Sequence, residues 1–350
     1  MAALFIIFII FAPVKIGNIE LGEHPVLLAP MEDVTDASFR YVCKEYGADM
    51  MFTEFISSDG LIRDAAKTLA KMQITEAERP IGIQIYGHLP DAMVEAALRA
   101  EAAGPDLIDI NFGCPVSKIA RRGAGSGMMR FPDKMVEITR RVVDAVRLPV
   151  TVKTRLGWDE DSKIIVELAE RLQDAGIAAL TVHGRTRAQM YKGTADWTLI
   201  GQVKRNPRMK IPVIGNGDIT SPEEAAEAFG RYGVDGIMIG RASFGHPWIF
   251  RDVKHYLATG EILPPMCVRD RVDLAKRHLS KSITIKGEKV GILEMRRHLS
   301  CYFKGLPDFK ETRIRLVTST DPDEIRATLD YIADRWGDTP LTETATVYGV

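Results

Sequence analysis

A cysteine follows an apolar run in the stretch Asp109–Pro115 (DINFGCP). The run predicts a strand, and the Gly-Cys-Pro turn that ends it would carry the thiol of Cys114 out of the fold into a loop, within reach of a substrate. Most free cysteines are instead small buried hydrophobes, and Cys43, inside an apolar helical pattern over residues 39–46, is expected to be one. The sequence context therefore singles out Cys114 as the candidate reactive cysteine.

Two basic residues, Lys153 and His183, stand at the ends of apolar runs that predict strands. Together they could hold an anionic ring system, because a nearby cation stabilises the negative charge that a reduced flavin carries near N1 and O2. Gln84 and Asn111 offer amide groups for the polar edge of such a ring or of a substrate base. The plainer alternatives are a solvated rim charge for Lys153 and a hydrogen-bonded structural histidine for His183.

Two glycine-containing turns predict a phosphate site. Asn216, Gly217 and Asp218 end the seventh predicted strand, and Gly240 and Arg241 end the eighth. In eight-stranded α/β barrels these two loops commonly bind phosphate through backbone amides, and glycine lets the backbone approach closely. No GxGxxG motif follows a first strand, so a dinucleotide site of the Rossmann type is not indicated.

The segment after the candidate cysteine, residues 116–127, carries three cations and three glycines. The cations are Lys118, Arg121 and Arg122. Such a segment could fold over a polyanion and present the thiol to it. The alternative is a solvated, mobile loop.

The elements that must position these residues repeat from residue 26 to residue 241. Short Ile- and Val-rich runs alternate with longer amphipathic stretches, such as 132–146 and 221–231, which predict helices. The stretch 221–231 opens with Ser221, Pro222 and two glutamates, a typical helix start. The apolar runs predict eight strands, at residues 26–30, 50–54, 81–86, 107–111, 150–154, 179–183, 213–216 and 236–240.

Eight alternating β/α units are the count of a TIM (β/α)8 barrel, and a doubly wound open sheet is the alternative. Each predicted strand ends in residues that could do chemistry or that need a special backbone, such as Glu54 and Arg155. A barrel brings all eight ends to one rim, where enzymes of this fold keep their active sites, while an open sheet spreads them along a line. The pattern therefore favours the barrel.

The β/α repeat stops after Arg241, and a turn-rich linker follows at residues 260–265. From there to residue 336 the apolar spacing is helical, which predicts about four helices. We place the barrel at 14–258, a small all-helical C-terminal domain at 266–336 and a loose tail at 337–350. The strongly apolar residues 1–13 are set apart as an N-terminal extension, with a membrane tether or a degenerate signal as alternatives.

The 350-residue chain has a formal net charge of −1, which gives no overall nucleic-acid signal. The charge is uneven, however, because residues 269–315 hold 13 Lys/Arg against 6 Asp/Glu. This basic stretch includes Arg296 and Arg297, which could meet phosphates, although charge runs usually form solvated helix faces. Four scattered cysteines without a CxxC pair argue for a reducing, cytoplasmic location and against a disulfide framework or a zinc site.

The motifs of this chain resemble those of the tRNA-dihydrouridine synthases, most closely the bacterial B type. The matches run in the same order over residues 15–320, and the Asn-x-Gly-Cys-Pro element is highly specific. Glu32 stands where the family usually has a small residue, so only its backbone contact is carried over. The matching segments are Ala29–Met31, Gly82–Gly87, Asp109–Pro115, Val152–Arg155, Thr181–Thr186, Ile214–Ile219, Ile239–Arg241 and Gly245–Phe250.

The resemblance implies a TIM barrel that holds FMN, followed by a helical tRNA-binding domain. It implies an oxidoreductase that uses NADPH, or NADH, to reduce the C5–C6 double bond of a tRNA uridine, with Cys114 as the proton donor. No metal, membrane or stable protein partner is implied. FMN would contact Pro30, Met31, Glu32, Gln84, Lys153, His183, Asn216, Gly217, Asp218, Gly240 and Arg241. The tRNA, through a D-loop uridine and its neighbours, would contact Asn111, Lys118, Arg121, Arg122, Arg185, Arg296 and Arg297.

Two other functions fit parts of the pattern. A small-molecule FMN-dependent dehydrogenase of the dihydroorotate type would share the barrel, the flavin and a loop thiol, but it would not need a basic helical C-terminal region. An RNA-binding protein whose barrel is only a scaffold would need no flavin.

Overall fold

The computed structural model describes residues 13–339 and Leu341 of the chain. Residues 1–12 of the predicted N-terminal extension (1–13) and residues 340 and 342–350 of the predicted tail (337–350) lie outside the described residues. An antiparallel hairpin, β1 (Val14–Ile16) and β2 (Ile19–Gly22), opens the described chain. Along residues 13–339 no helix combines the length and the apolar character needed to cross a membrane.

A closed parallel barrel follows the hairpin. Its strands are β3 (Val26–Leu28), β4 (Met51–Phe52), β5 (Ile56–Ser57), β6 (Ile81–Tyr86), β7 (Leu107–Asn111), β8 (Val150–Arg155), β9 (Ala179–His183), β10 (Val213–Asn216) and β11 (Gly236–Ile239). They pair in the order β3-β11-β10-β9-β8-β7-β6-β4, and the short β5 pairs with β6. A bridge between Leu27 and Met50 closes the ring. The predicted eight-stranded barrel is therefore confirmed.

Helices connect the strands on the outside of the barrel. The Ser221 hydroxyl caps one of them by accepting from the Glu224 amide at 3.3 Å, with Pro222 in the first turn, as the sequence predicts. The helices are α1 (Ala37–Glu45), α2 (Ser58–Ile62), α3 (Ala66–Ala70), α4 (Pro90–Ala102), α5 (Ser117–Ala120), α6 (Pro132–Ala145), α7 (Ile165–Asp174), α8 (Thr198–Arg205), α9 (Pro222–Tyr232) and α10 (Ile249–Thr259). Short 3-10 turns occupy Glu76–Glu78, Gly125–Arg130, Glu160–Ser162 and Arg241–Ser243.

Burial on both faces explains why the barrel strands are almost continuously apolar in sequence. Ile83 and Val152, for example, are fully buried, and so is Cys43 on α1, as predicted. At the amino ends of the strands, Ile16 of the hairpin packs in one cluster with Leu107, the first residue of β7. The hairpin thus covers that end of the barrel, and the polar residues that end the strands lie at the opposite end.

Four helices form the C-terminal region, as the sequence predicts. They are α11 (Val268–Lys286), α12 (Glu288–Tyr302), α13 (Lys310–Thr318) and α14 (Pro322–Trp336). Their apolar core, which includes Leu279 and Leu299, is distinct from the barrel core. Val42 of α1 and Trp248 belong to this second core, so the helical region packs directly on the barrel. The predicted domain boundaries remain predictions.

Ion pairs reinforce this packing. Lys286 of α11 lies 2.5 Å from Asp36, the residue that caps α1, and Arg277 lies 3.7 Å from Glu45 at the end of α1. Both lysine and arginine belong to the basic stretch 269–315. Part of the positive excess in that stretch is therefore neutralised by acidic residues of the barrel.

A buried ion pair between Arg40 and Glu78 supplies a test of the fold. The Arg40 Nε atom lies 2.7 Å from Glu78 Oε1, and the two side chains are 2% and 1% exposed. Glu78→Ala should destabilise the protein by about 3–5 kcal/mol in urea unfolding, because the guanidinium would stay buried without its anion. Glu76→Ala, which removes the exposed partner of Arg79, is the matched control and should cost far less. Equal losses in the two variants would contradict this role of the buried pair.

Candidate active site

The carboxyl ends of the strands surround a cavity of about 440 Å³. This volume lies in the range of small-molecule and cofactor sites. Most of the predicted site residues line it, namely Pro30, Met31, Glu32, Asn111, Cys114, Lys153, His183, Asn216, Gly217, Asp218, Gly240, Arg241 and Arg297. The predicted residues that do not line it are Gln84, Lys118, Arg121, Arg122, Arg185 and Arg296.

Cys114 lies in the loop after β7, but its side chain is not pushed out of the fold. The residue is only 7% exposed and forms part of the cavity wall, which corrects the expectation of a protruding thiol. The backbone amides of Gly113 and Cys114 both donate to Asn111 Oδ1 at 2.9 Å, and Ser126 Oγ donates to the Cys114 carbonyl at 2.7 Å. Burial raises the pKa of the Cys114 thiol above its ordinary value. The thiol therefore keeps its proton at neutral pH.

Lys153 supplies the positive charge deep in the cavity. Its Nζ atom donates to Asn216 Oδ1 at 3.1 Å. Burial, with a smaller contribution from Arg155, lowers the pKa of Lys153 to about 8, so the ammonium is still the main form at neutral pH. Burial and the neighbouring cations hold the pKa of His183 well below its ordinary range. His183 is therefore neutral, and the expectation that it adds a second positive charge was wrong.

Arg185, Asp218 and Arg241 form a charged cluster beside the cavity. Arg185 Nη1 and Nη2 donate to the two Asp218 carboxylate oxygens at 2.8 and 2.5 Å, and Arg241 Nη2 donates to Oδ1 at 3.1 Å. Burial would raise the pKa of Asp218, but hydrogen bonds from Arg185 and the Ala195 amide lower it below its ordinary value. The cluster therefore carries one net positive charge. Arg185 is only 2% exposed and is fixed behind Asp218 rather than on the cavity wall.

Backbone amides next to this cluster complete a candidate anion pocket. Within residues 13–339, the N–H groups of Gly217, Asp218, Gly240 and Arg241 donate to no protein acceptor. Gly217 has a φ of +128°, and a Cβ atom there would lie 2.8 Å from the Ala195 Cβ atom, so only glycine fits. These amides lie after β10 and β11, where the sequence predicts a phosphate site.

Two further residues of the site, Arg155 and Tyr191, were given no role in the site from the sequence. Arg155 Nε donates to the Gly113 carbonyl at 2.7 Å, and its Nη1 donates to the Met190 carbonyl at 2.8 Å. Arg155 thus ties the cysteine loop to the loop after β9. Tyr191 lines the cavity with its ring under the guanidinium of Arg241, 4.8 Å away. The strand-end motif contained the signal for Arg155, whereas nothing in the sequence marked Tyr191.

Five cations lie around α5, close to the cavity. Lys118, Arg121 and Arg122 are exposed, and in the described part of the chain they have no ion-pair partner. Arg187 Nη2 donates to the hydroxyl of Ser117 on α5 at 3.4 Å. The ring of Trp158 stacks with the guanidiniums of both Arg130 and Arg187, at 4.4 and 4.8 Å. We refer to Lys118, Arg121, Arg122, Arg130 and Arg187 as the basic rim.

The two predicted arginines of α12 point to different places. Arg296 Nη2 donates to the Thr318 carbonyl at 3.0 Å, within the helical region. Arg297 Nη1 donates to the Asp33 carbonyl in the loop after β3, and Arg297 lines the cavity. The two residues therefore do not share one surface, and only Arg297 reaches the site.

Several known proteins are similar to this chain in sequence. A family model described as dihydrouridine synthase matches residues 27–335. The probable tRNA-dihydrouridine synthase of Rickettsia conorii is 40% identical over 310 residues, which cover 88% of this chain and 93% of that protein. The tRNA-dihydrouridine synthase B of Xanthomonas campestris pv. campestris is 43% identical over 307 residues, which cover 87% of this chain and 92% of that protein.

Solved structures share the fold at low sequence identity. Histamine dehydrogenase from Rhizobium sp. 4-9 aligns with a TM-score of 0.55 at 14% identity, covering 94% of this chain and 65% of that chain. The 2-naphthoyl-CoA reductase complex with 2-naphthoyl-CoA aligns with a TM-score of 0.55 at 12% identity, covering 69% of this chain and 51% of that chain. At such identities the likeness concerns the fold alone.

The lowered pKa of Lys153 predicts a pH-dependent stability. It is about 8 in the folded protein, against about 10.4 for an ordinary lysine. Between these two values the unfolded chain binds more protons than the folded one, so wild-type stability should rise with pH relative to Lys153→Met. Below about pH 8 the difference between the two proteins should stay constant.

Urea unfolding of wild type and Lys153→Met at a series of pH values measures this difference. Lys210→Met, at an exposed position, is the matched control. A difference between wild type and Lys153→Met that is the same at every pH would contradict the lowered pKa.

Proposed function

Because the chain belongs to the dihydrouridine synthase family, we propose that it reduces uridines in tRNA to 5,6-dihydrouridine, with FMN as cofactor and NADPH or NADH as reductant. The observation that carries the proposal is a buried, protonated thiol and a buried ammonium in one cavity, Cys114 and Lys153. Saturating a double bond conjugated to a carbonyl needs a hydride at one carbon and a proton at the other. The thiol can supply that proton.

The anion pocket suits the phosphate of FMN. The four residues whose amides have no protein acceptor among residues 13–339 line the cavity beside the Arg185–Asp218–Arg241 cluster and its single net positive charge. Glycine at 217 and 240 lets the phosphate approach the backbone closely. Amide donors and a cation are the groups that TIM-barrel phosphate sites commonly use.

The rest of the cavity suits the flavin ring. Met31 and Met238 give it apolar walls, and Lys153 with Asn216 gives it a polar side. The Lys153 ammonium would stabilise negative charge on the pyrimidine edge of the ring. When bound, FMN would supply hydride chemistry, with the nicotinamide as the source of the hydride and C6 of the uracil as the proposed acceptor.

The chain's own residues then control the proton. Cys114 donates its thiol proton to C5 of the uracil, and its raised pKa ensures that the proton is present at neutral pH. The positive charges of Arg155 and Lys153 favour the thiolate that remains, because both charges lower the pKa of Cys114 against the effect of burial. Solvent returns the proton before the next cycle.

The substrate is proposed to be a folded tRNA, with a D-loop uridine turned out of its stack into the cavity. The basic rim would bind phosphates next to that nucleotide without reading sequence. Arg297, at the cavity on the side of the helical region, would bind them from the other side. We propose that the protein acts in the cytoplasm, where tRNA is modified.

The two alternatives receive less support. A small-molecule dehydrogenase has no use for the exposed cations Lys118, Arg121 and Arg122 beside its cavity, which have no ion-pair partner among the described residues. A barrel that served only as a scaffold would have no reason to bury the charge of Lys153, which costs stability.

Cys114→Ala should keep its FMN and the reduction of FMN by NADPH, because the thiol is not part of the anion pocket. Oxidation of the reduced protein by tRNA should slow by roughly 10²–10⁴-fold, the usual contribution of a general acid. Single-turnover absorbance measurements at the flavin band follow both steps. A near wild-type rate of oxidation by tRNA would remove the proton-donor role.

Arg241→Glu should lower the FMN content of the purified protein. The substitution turns the single net positive charge of the cluster into a net negative one beside the phosphate. Arg63→Glu, at an exposed position outside the cavity, is the control and should keep its flavin. Full flavin content in Arg241→Glu, measured by absorbance after denaturation, would contradict the phosphate assignment.

Replacing Lys118, Arg121 and Arg122 together by alanine should weaken tRNA binding and flatten its salt dependence. The slope of log affinity against log salt should fall by roughly 0.7 to 0.9 for each phosphate that the variant no longer neutralises. Binding titrations at several salt concentrations measure both effects. The control removes Arg140, Arg147 and Lys210, which are exposed on α6 or before β8 and β10. Equal affinities and slopes for the two triple variants would exclude the basic rim as a tRNA surface.

A further inference from the structure

A chain of hydrogen bonds runs from the interior of the barrel to the cysteine loop. Thr151 Oγ1 and Gln84 Nε2 donate to the two carboxylate oxygens of Asp109, at 2.5 and 2.6 Å. Asn111 Nδ2 donates to Gln84 Oε1 at 2.8 Å. Asn111 Oδ1 then accepts the backbone amides of the Gly-Cys turn at 2.9 Å. All of these side chains are buried, and they lie on the adjacent strands β6, β7 and β8.

The carboxylate at the inner end sets the direction of every bond in this chain. An ionised carboxylate only accepts hydrogen bonds, so Gln84 must turn its NH2 group toward Asp109. The oxygen of Gln84 then faces Asn111, so Asn111 must donate to it with its own NH2 group. Only the oxygen of Asn111 is left to face the turn, and the turn presents two N–H donors. The direction required at the turn is therefore the one that Asp109 imposes.

We propose that Asp109 is a positioning residue for Cys114: acting through Gln84 and Asn111, its carboxylate fixes the turn that holds the thiol at the cavity wall. Its contribution to uridine reduction rests on the function proposed above. The fixed turn matters for that reaction because a proton donor must stand at a defined distance from one carbon, and small displacements slow such steps strongly.

The charge state of Asp109 is consistent with this role. Burial raises the pKa of Asp109 to about 6, while the hydrogen bonds from Gln84 and Thr151 and the charge of Lys153 hold it from rising further. The carboxyl group is therefore ionised at neutral pH and acts as a pure acceptor. The inference also revises the part of Gln84, which lies behind Asn111 and links it to Asp109 rather than lining the cavity.

Moving the carboxylate from position 109 to position 111, the other end of the hydrogen-bond series, tests whether the carboxylate sets the donor-to-acceptor direction of the bonds. Asn111→Asp places a second pure acceptor opposite the oxygen of Gln84. The carboxylates at positions 109 and 111 then require opposite orientations of the Gln84 amide. Asp109→Asn removes the requirement that Gln84 turn its NH2 group toward position 109. In the double variant Asp109→Asn, Asn111→Asp, one consistent chain is possible again. Gln84 flips, donates to the carboxylate at position 111 and accepts from the amide at position 109, and the turn still finds an acceptor.

The readout is the alkylation of Cys114 by iodoacetamide in the purified protein, followed by peptide mass spectrometry. The rate is taken at its high-pH limit, so that a changed thiol pKa does not enter. Asn111→Asp should raise this limiting rate by about tenfold, because a loosened turn exposes the buried thiol. The double variant should return to within about twofold of wild type, since its hydrogen bonds are again satisfied. Thr151→Val, which removes one bond to Asp109 but leaves the direction of the chain, should also stay within about twofold.

A double variant as reactive as Asn111→Asp would overturn the proposal, and so would a wild-type rate in Asn111→Asp. These outcomes do not depend on the reaction that the protein catalyses. The functional arm compares single-turnover oxidation by tRNA, starting from fully reduced protein, in wild type and Asp109→Asn, and this oxidation should be slower in the variant. If wild type oxidises with tRNA and Asp109→Asn does so equally fast, the positioning role falls. If wild type itself does not react with tRNA, the proposed function falls, and the alkylation cycle still decides the role of Asp109.

Discussion

Burial of ionisable groups at the carboxyl end of an apolar barrel is the constraint on which the candidate site depends. Loss of water disfavours every charged form, so the same cause acts in opposite directions on the acid and the base. It raises the pKa of Cys114 and keeps the thiol protonated, and it lowers the pKa of Lys153 to about 8, so that the ammonium is still the main form at neutral pH. A proton donor and a cation thus coexist in one cavity at neutral pH.

The helical region contacts the barrel through cations of the basic stretch 269–315, which from sequence alone are candidate phosphate contacts. Lys286 and Arg277 pair with Asp36 and Glu45 on α1, and Arg297 donates to the Asp33 carbonyl at the cavity. Part of the positive excess of residues 269–315 therefore stabilises the packing of the helical region on the barrel. Lys118, Arg121 and Arg122 of the basic rim, which have no ion-pair partner in the described chain, lie on the barrel beside the cysteine loop.

The fold was largely predictable, because the periodicity of apolar residues reflects which faces are buried. All eight strands and the four C-terminal helices follow from it. Most of the predicted site residues do line the cavity, since polar residues at strand ends meet at one rim in a barrel. What the sequence could not show depends on contacts between distant residues. The neutral state of His183 results first from its burial, which lowers its pKa, and then from the cations around it, and the fixed position of Arg185 results from its pairing with Asp218. Tyr191 lies in a loop without any pattern.

Nucleoside mass spectrometry of tRNA tests the proposed function most directly. The tRNA is taken from cells that lack this protein and from the same cells supplied with the wild-type chain or with Cys114→Ala. Dihydrouridine is heavier than uridine by two hydrogens, so each position can be assigned. The assignment predicts that dihydrouridine is lost from at least one tRNA position in the deficient cells and that only the wild-type chain restores it. Unchanged dihydrouridine at every position in the deficient cells would contradict it.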